Sequence, residues 1–86
     1  MTAEAVTTES PCTMMRREAK SSREDIERRK NAISHLRAEI GRLEGQAHPD
    51  QKAIAALKQR LESLEGQLTQ EELSLDTLEQ VISENC

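Results

Sequence analysis

Thirteen of the fourteen Leu and Ile residues fall on one heptad ladder that crosses the Gly/Pro punctuation from Gly45 to Pro49 without a change of phase. The a positions are Ala19, Ile26, Ile33, Ile40, Ala47, Ile54, Leu61, Leu68, Leu75 and Ile82. The d positions are Met15, Ser22, Arg29, Leu36, Leu43, Asp50, Leu57, Leu64, Glu71 and Leu78. Chance would put about four of the fourteen there, so the repeat predicts helices that supercoil around one another with a left-handed twist. Leu73 alone lies off the ladder.

Local signals cut the ladder into two arms. Residues 1–9 lack periodicity and are expected to be a flexible tail. Ser10 followed by Pro11 reads as a helix start, with Ser capping the free backbone N–H groups and Pro tolerated at the first helical position. The first helix is expected to run from about 10 to 45. Gly45 suits a left-handed C-terminal cap, and Pro49 cannot donate the hydrogen bond that would continue the helix. The second helix is expected over about 49 to 84, leaving a turn at 45–49. Arms of equal length joined by a short turn predict an all-α, two-helix antiparallel coiled-coil hairpin over residues 10–86.

Antiparallel pairing about the Gly/Pro break sets each a position against a d position. The layers are Leu43 with Ile54, Ile40 with Leu57, Leu36 with Leu61, and Ile33 with Leu64. Further from the turn come Arg29 with Leu68, Ile26 with Glu71, Ser22 with Leu75, Ala19 with Leu78, and Met15 with Ile82. The charged intruders Arg29 and Glu71 then lie in adjacent layers on opposite arms and form a polar pair within the seam. A parallel in-register dimer would set each against its own copy and partly desolvate like charges. The competing pattern, Ile at a with Leu at d from Ile26 to Leu43, suits parallel dimers, but the proline opposes it. Flanking charges are expected to pair as Lys30 with Glu65, Arg23 with Glu72 and Arg16 with Glu79, with Arg37 facing Lys58 as the one unfavourable meeting. Because the phase is unbroken, two chains straightened at the turn would reproduce every layer as a domain-swapped dimer.

Composition narrows the function. The 86 residues contain no Phe, Tyr or Trp, which removes the side chains that usually fill a compact enzyme core. Two helices zipped along one seam bury little, so assembly into a larger helical bundle is expected. The net charge of -4 opposes general nucleic-acid binding. Charge is nevertheless divided: Arg16 to Arg42 holds nine basic residues against five acidic, and the chain from Gln46 onward holds three against eight. A basic arm and an acidic arm attract when they lie side by side. The start of the chain has no basic stretch followed by an apolar run, and no segment reaches the ~20 apolar residues of a membrane span, so a soluble, cytoplasmic protein without membrane contact is expected.

Candidate chemistry is sparse. Cys12 and Cys86 come within one residue of the layer register, so the hairpin would bring them together at its open end; two separate reduced thiols, the usual state in a cytosolic chain, are expected there, with a disulfide as the alternative. Neither is accompanied by histidines as a zinc site requires. His35 and His48 have no neighbouring nucleophile or ligand set. No metal, cofactor or catalytic residue is expected. Arg16, Arg17, Arg23, Arg28, Arg29, Lys30 and Arg37 lack the interleaved aromatics of single-strand binders.

The expected function is therefore a non-enzymatic protein interaction and oligomerisation module whose partner is itself, as a homo-oligomer, or a larger helical protein. Its seam comprises Ile26, Ile33, Leu36, Ile40, Leu43, Ile54, Leu57, Leu61, Leu64, Leu68, Leu75, Leu78 and Ile82. Leu73 and Val81 lie outside that seam and are the expected partner-binding surface. A nucleic-acid-associated accessory protein that uses the basic first helix is the alternative.

Overall fold

Two helix starts are written into the sequence as side-chain caps, and both operate. In the computed structural model, which describes residues 9–86, the Ser10 hydroxyl accepts the Thr13 backbone N–H at 3.1 Å and opens α1, Pro11–Glu44. The Asp50 carboxylate accepts the Ala53 N–H at 3.1 Å and opens α2, Gln51–Asn85. Each cap satisfies a donor that the first helical turn leaves without a partner. The helices pack against each other as an antiparallel hairpin, and the molecule measures 72 × 29 × 15 Å. The tail expected over 1–9 lies outside the described residues apart from Glu9, which forms an ion pair with Arg17.

The turn works differently from the expectation. Gly45 does not adopt the left-handed conformation; its φ of -82° and ψ of -4° continue the right-handed coil, and its N–H still reaches the Gly41 carbonyl at 3.1 Å. Gln46 N–H then reaches back to Leu43 O at 3.3 Å, tightening the last turn. The break is set by Pro49, which disfavours helical geometry at His48 and lacks the N–H of a continuing helix. Asp50 as the N-cap leaves Pro49 outside α2, so the second helix begins at Gln51, two residues later than expected.

The ladder forms the seam. Ala19, Ile26, Ile33, Ile40 and Ile54, all a positions, are the buried hydrophobic residues. The d-position apolar residues Met15, Leu36, Leu43, Leu57, Leu64 and Leu78 are half-buried, as are Leu61, Leu68, Leu75 and Ile82. Ala47, at the turn, is exposed.

The flanking charges pair one heptad away from the expected arrangement. Arg23 meets Glu79 at 2.8 Å, Lys30 meets Glu72 at 3.9 Å, Arg37 meets Glu65, and Lys58 meets Glu44 at 2.9 Å. The reason is the lean of helical side chains toward their own N-terminus. On antiparallel helices two long side chains therefore converge when both Cα atoms lie C-terminal to the meeting point. The shift removes the expected clash: Arg37 and Lys58 each take an acidic partner.

Candidate protein interaction surface

The seam has two edges, and they differ. One edge is lined by the e positions of both helices, and all four of the flanking ion pairs just described bridge it. The a positions lie beneath this edge, and those of α1 are buried. Exposed ion pairs of this kind contribute little stability, but they select the register and bridge the edge. A groove of ≈ 490 Å³ remains there, lined by Ile26, Lys30, Glu72, Leu73, Leu75 and Asp76 among others.

The opposite edge is lined by the g positions. Here α2 presents Ala53, Gln67, Ser74 and Val81 with a single charge, Arg60, and α1 presents Ala32 between acidic positions. No ion pair joins the helices across the g positions among the described residues. The d-position leucines beneath are left half-exposed: Leu36 and Leu64 line an open groove with Ala32, His35, Glu39 and Arg60. Of the g-position acids, Asp25 pairs with Arg28 and Glu39 with Arg42, each along its own helix.

At the middle of this open edge stand Arg29 and Glu71. The Arg29 Nε–H donates to Glu71 Oε1 at 2.9 Å and an Nη–H donates to Oε2 at 2.8 Å, a bidentate geometry. Their side chains retain 30% and 29% exposure, so the pair is half-buried in the seam and half open to whatever lies on the edge. The hydrogen bond from Arg29 holds the Glu71 carboxyl below its ordinary value against the opposing effect of burial. The same bond raises the Arg29 guanidinium further above its already high value.

At the open end of the hairpin Cys12 and Cys86 are joined as a disulfide, with Cα atoms 5.9 Å apart. The bond fixes the far ends of α1 and α2 to each other within one chain. His35 and His48 are exposed. Among the described residues no His, Cys, Asp and Glu side chains gather into a metal-ligating group, and no helix is long and apolar enough to cross a membrane. Of the seven basic residues singled out on the first arm, all except Arg16 engage a carboxylate.

The chain matches no family model, no curated protein and no solved structure.

Leu73 and Val81 are both exposed, at 57% and 37%, but they do not share one surface. Leu73 borders the groove on the ion-paired edge, whereas Val81 occupies a g position on the open edge. Ala32, Gln67 and Ser74, which complete the open edge around the half-exposed leucines, escape an inspection confined to large aliphatics. Their signal is in the sequence nonetheless: the e positions are nearly all charged, and most g positions of α2 are not.

Proposed function

We propose that the chain is a non-enzymatic protein interaction module that acts by packing the open edge of its hairpin against helices of a partner. The observation that carries this reading is the row of half-exposed d-position leucines, Leu36, Leu43, Leu57, Leu64 and Leu78, along an edge that no ion pair between the helices crosses among the described residues. In a finished two-helix coiled coil, flanking residues cover both edges of the seam. Here ion pairs bridge one edge and none bridges the other among the described residues, and the leucines left half-exposed on both sides of the Arg29–Glu71 pair are the kind of surface that helix-bundle packing removes from water. The engagement of most of the basic first arm by carboxylates favours a protein partner over nucleic acid, because phosphate contacts draw on free cations.

The test is a benzophenone amino acid placed at Ser74 and irradiated in cells that make the protein. A cross-linked protein adduct of discrete mass is expected; irradiation that yields none, with the hairpin intact, would sink the reading. A reducing cytoplasm would hold Cys12 and Cys86 as thiols, so alkylation of the chain taken directly from cells decides between cytoplasmic residence and an oxidising compartment.

A further inference from the structure

We infer that the partner on the open edge is a second copy of this chain, packed about a two-fold axis parallel to the hairpin's length, so that each α1 lies on the other copy's α2. The inference rests on the interaction reading above and goes further by naming the occupant and its orientation.

Charge complementarity selects both. The open edge of α1 carries Glu18, Asp25 and Glu39 at g and Arg29 at d, and that of α2 carries Arg60 at g and Glu71 at d. A two-fold perpendicular to the hairpin would lay α1 on α1, setting acidic g positions against acidic g positions and Arg29 against its own copy. Like charges so placed are unfavourable, and more so as water is excluded. A two-fold along the hairpin instead lays α1 on α2 at the same level. Glu39 then comes opposite Arg60, which has no ion-pair partner among the described residues, and Asp25 comes opposite Ser74. At the centre Arg29 faces the second copy's Glu71 while keeping its own, so the two bidentate pairs close into a four-membered network. Each basic helix is thereby flanked by two acidic ones, and every neighbouring pair of helices in the resulting four-helix bundle runs antiparallel.

The size of the face agrees. Helices of 34 and 35 residues are about 50 Å long, and two side by side at ~10 Å spacing present roughly 1,000 Å². A stable specific interface needs about 800 Å² from each partner. The small side chains of Ala32, Ala53 and Ser74 allow the helices to approach, and the half-exposed leucines supply the apolar surface that becomes buried. Closure of the bundle leaves the ion-paired edge and its Leu73 groove facing solvent.

The purified full chain, disulfide intact, tests this by light scattering across concentration. A mass of twice 9.7 kDa is expected. Ala32→Glu combined with Ser74→Glu should halve that mass while the helical circular dichroism persists, because both side chains are exposed and neither enters the seam. Ser34→Glu combined with Thr69→Glu, on the ion-paired edge, should leave it doubled. For orientation, a benzophenone amino acid at Ala32 in a mixture of isotopically heavy and light chains should give heavy-to-light cross-links to α2 peptides. A chain monomeric at every concentration overturns the proposal; if cellular cross-linking still yields an adduct with another protein, the interaction reading survives without it. A dimer indifferent to the Ala32 and Ser74 changes, or cross-links confined to α1, overturns the assigned face or its orientation.

Discussion

Arg29 and Glu71 sit on opposite helices in adjacent layers of a largely aliphatic seam and hold each other through two hydrogen bonds of 2.9 and 2.8 Å. The pair is a device for register: sliding the helices by one heptad would leave each charge among aliphatic side chains with no counter-ion. Arg29→Leu or Glu71→Leu alone should each lower the melting temperature, because each strands a partly desolvated charge. The double substitution should restore it to the wild-type value or above, since an apolar pair of similar volume fits the layer. Thermal unfolding at fixed protein concentration, arranged as a double-mutant cycle, checks the coupling; additive losses would contradict the direct pairing.

Acid should unfold the hairpin in a manner that depends on this pair. The folded Glu71 carboxyl lies below its ordinary value, chiefly through the Arg29 hydrogen bond. A depressed folded pKa contributes stability that is fully present above the unfolded value, ~4.3 for glutamate, and is lost as pH falls through the folded value. Glu39 is shifted in the same direction by Arg42, but that pair joins neighbouring turns of one helix at the surface and contributes less. The melting temperature should therefore be level from pH 7 to about 5 and fall below about 4. Glu71→Gln should shrink the difference between neutral and acid conditions. An undiminished acid-induced fall in that variant would assign the effect to other carboxylates.

The uneven burial of the ladder makes its members unequal. Ile33 is 4% exposed and Ile54 likewise 4%, whereas Leu73 is 57% exposed. Ile33→Ala and Ile54→Ala should each cost about 2–5 kcal/mol by urea unfolding, the range for deleting a buried aliphatic and leaving a cavity. Leu73→Ala should change stability by less than about 0.5 kcal/mol. A large loss at Leu73 would mean that the groove on the ion-paired edge is closed in solution.

Much of this arrangement is legible in the sequence, and the exceptions have physical causes. The a positions from Ala19 to Ile40 announced the buried face because a period of 3.5 residues survives any local detail of the helix. Ser10 marks the start of α1 in the sequence because a capping oxygen acts on its own immediate neighbours, and Asp50 opens α2 in the same way. Gly45 stays right-handed, since glycine permits the left-handed conformation without requiring it, and Pro49 keeps the two helices from running together. The ion pairs were displaced by a heptad because a layer diagram places residues at their Cα atoms, while Arg23 and Glu79 meet about a turn away, where their side chains point. The open edge escaped notice because it is defined by what Ala32, Gln67 and Ser74 lack.

The disulfide at the open end makes the most direct test of whether the chain folds back on itself. Cys12 and Cys86 are 74 positions apart, and closing so long a loop restricts the unfolded chain. In chain-entropy terms that restriction contributes roughly 4 kcal/mol, or on the order of 15–30 °C of melting temperature for a chain of this size. Reductant, or Cys12→Ser, should lower the melting temperature by that amount while leaving helical content unchanged at room temperature, because the remaining seam is untouched. On a denaturing, non-reducing gel the closed hairpin should run as a single chain. A swapped assembly would join Cys12 of one chain to Cys86 of another and run at twice the mass. Two alkylatable thiols in the unreduced protein, or a melting temperature indifferent to reductant, would show that the ends are held by the Met15, Ala19, Leu78 and Ile82 layers alone.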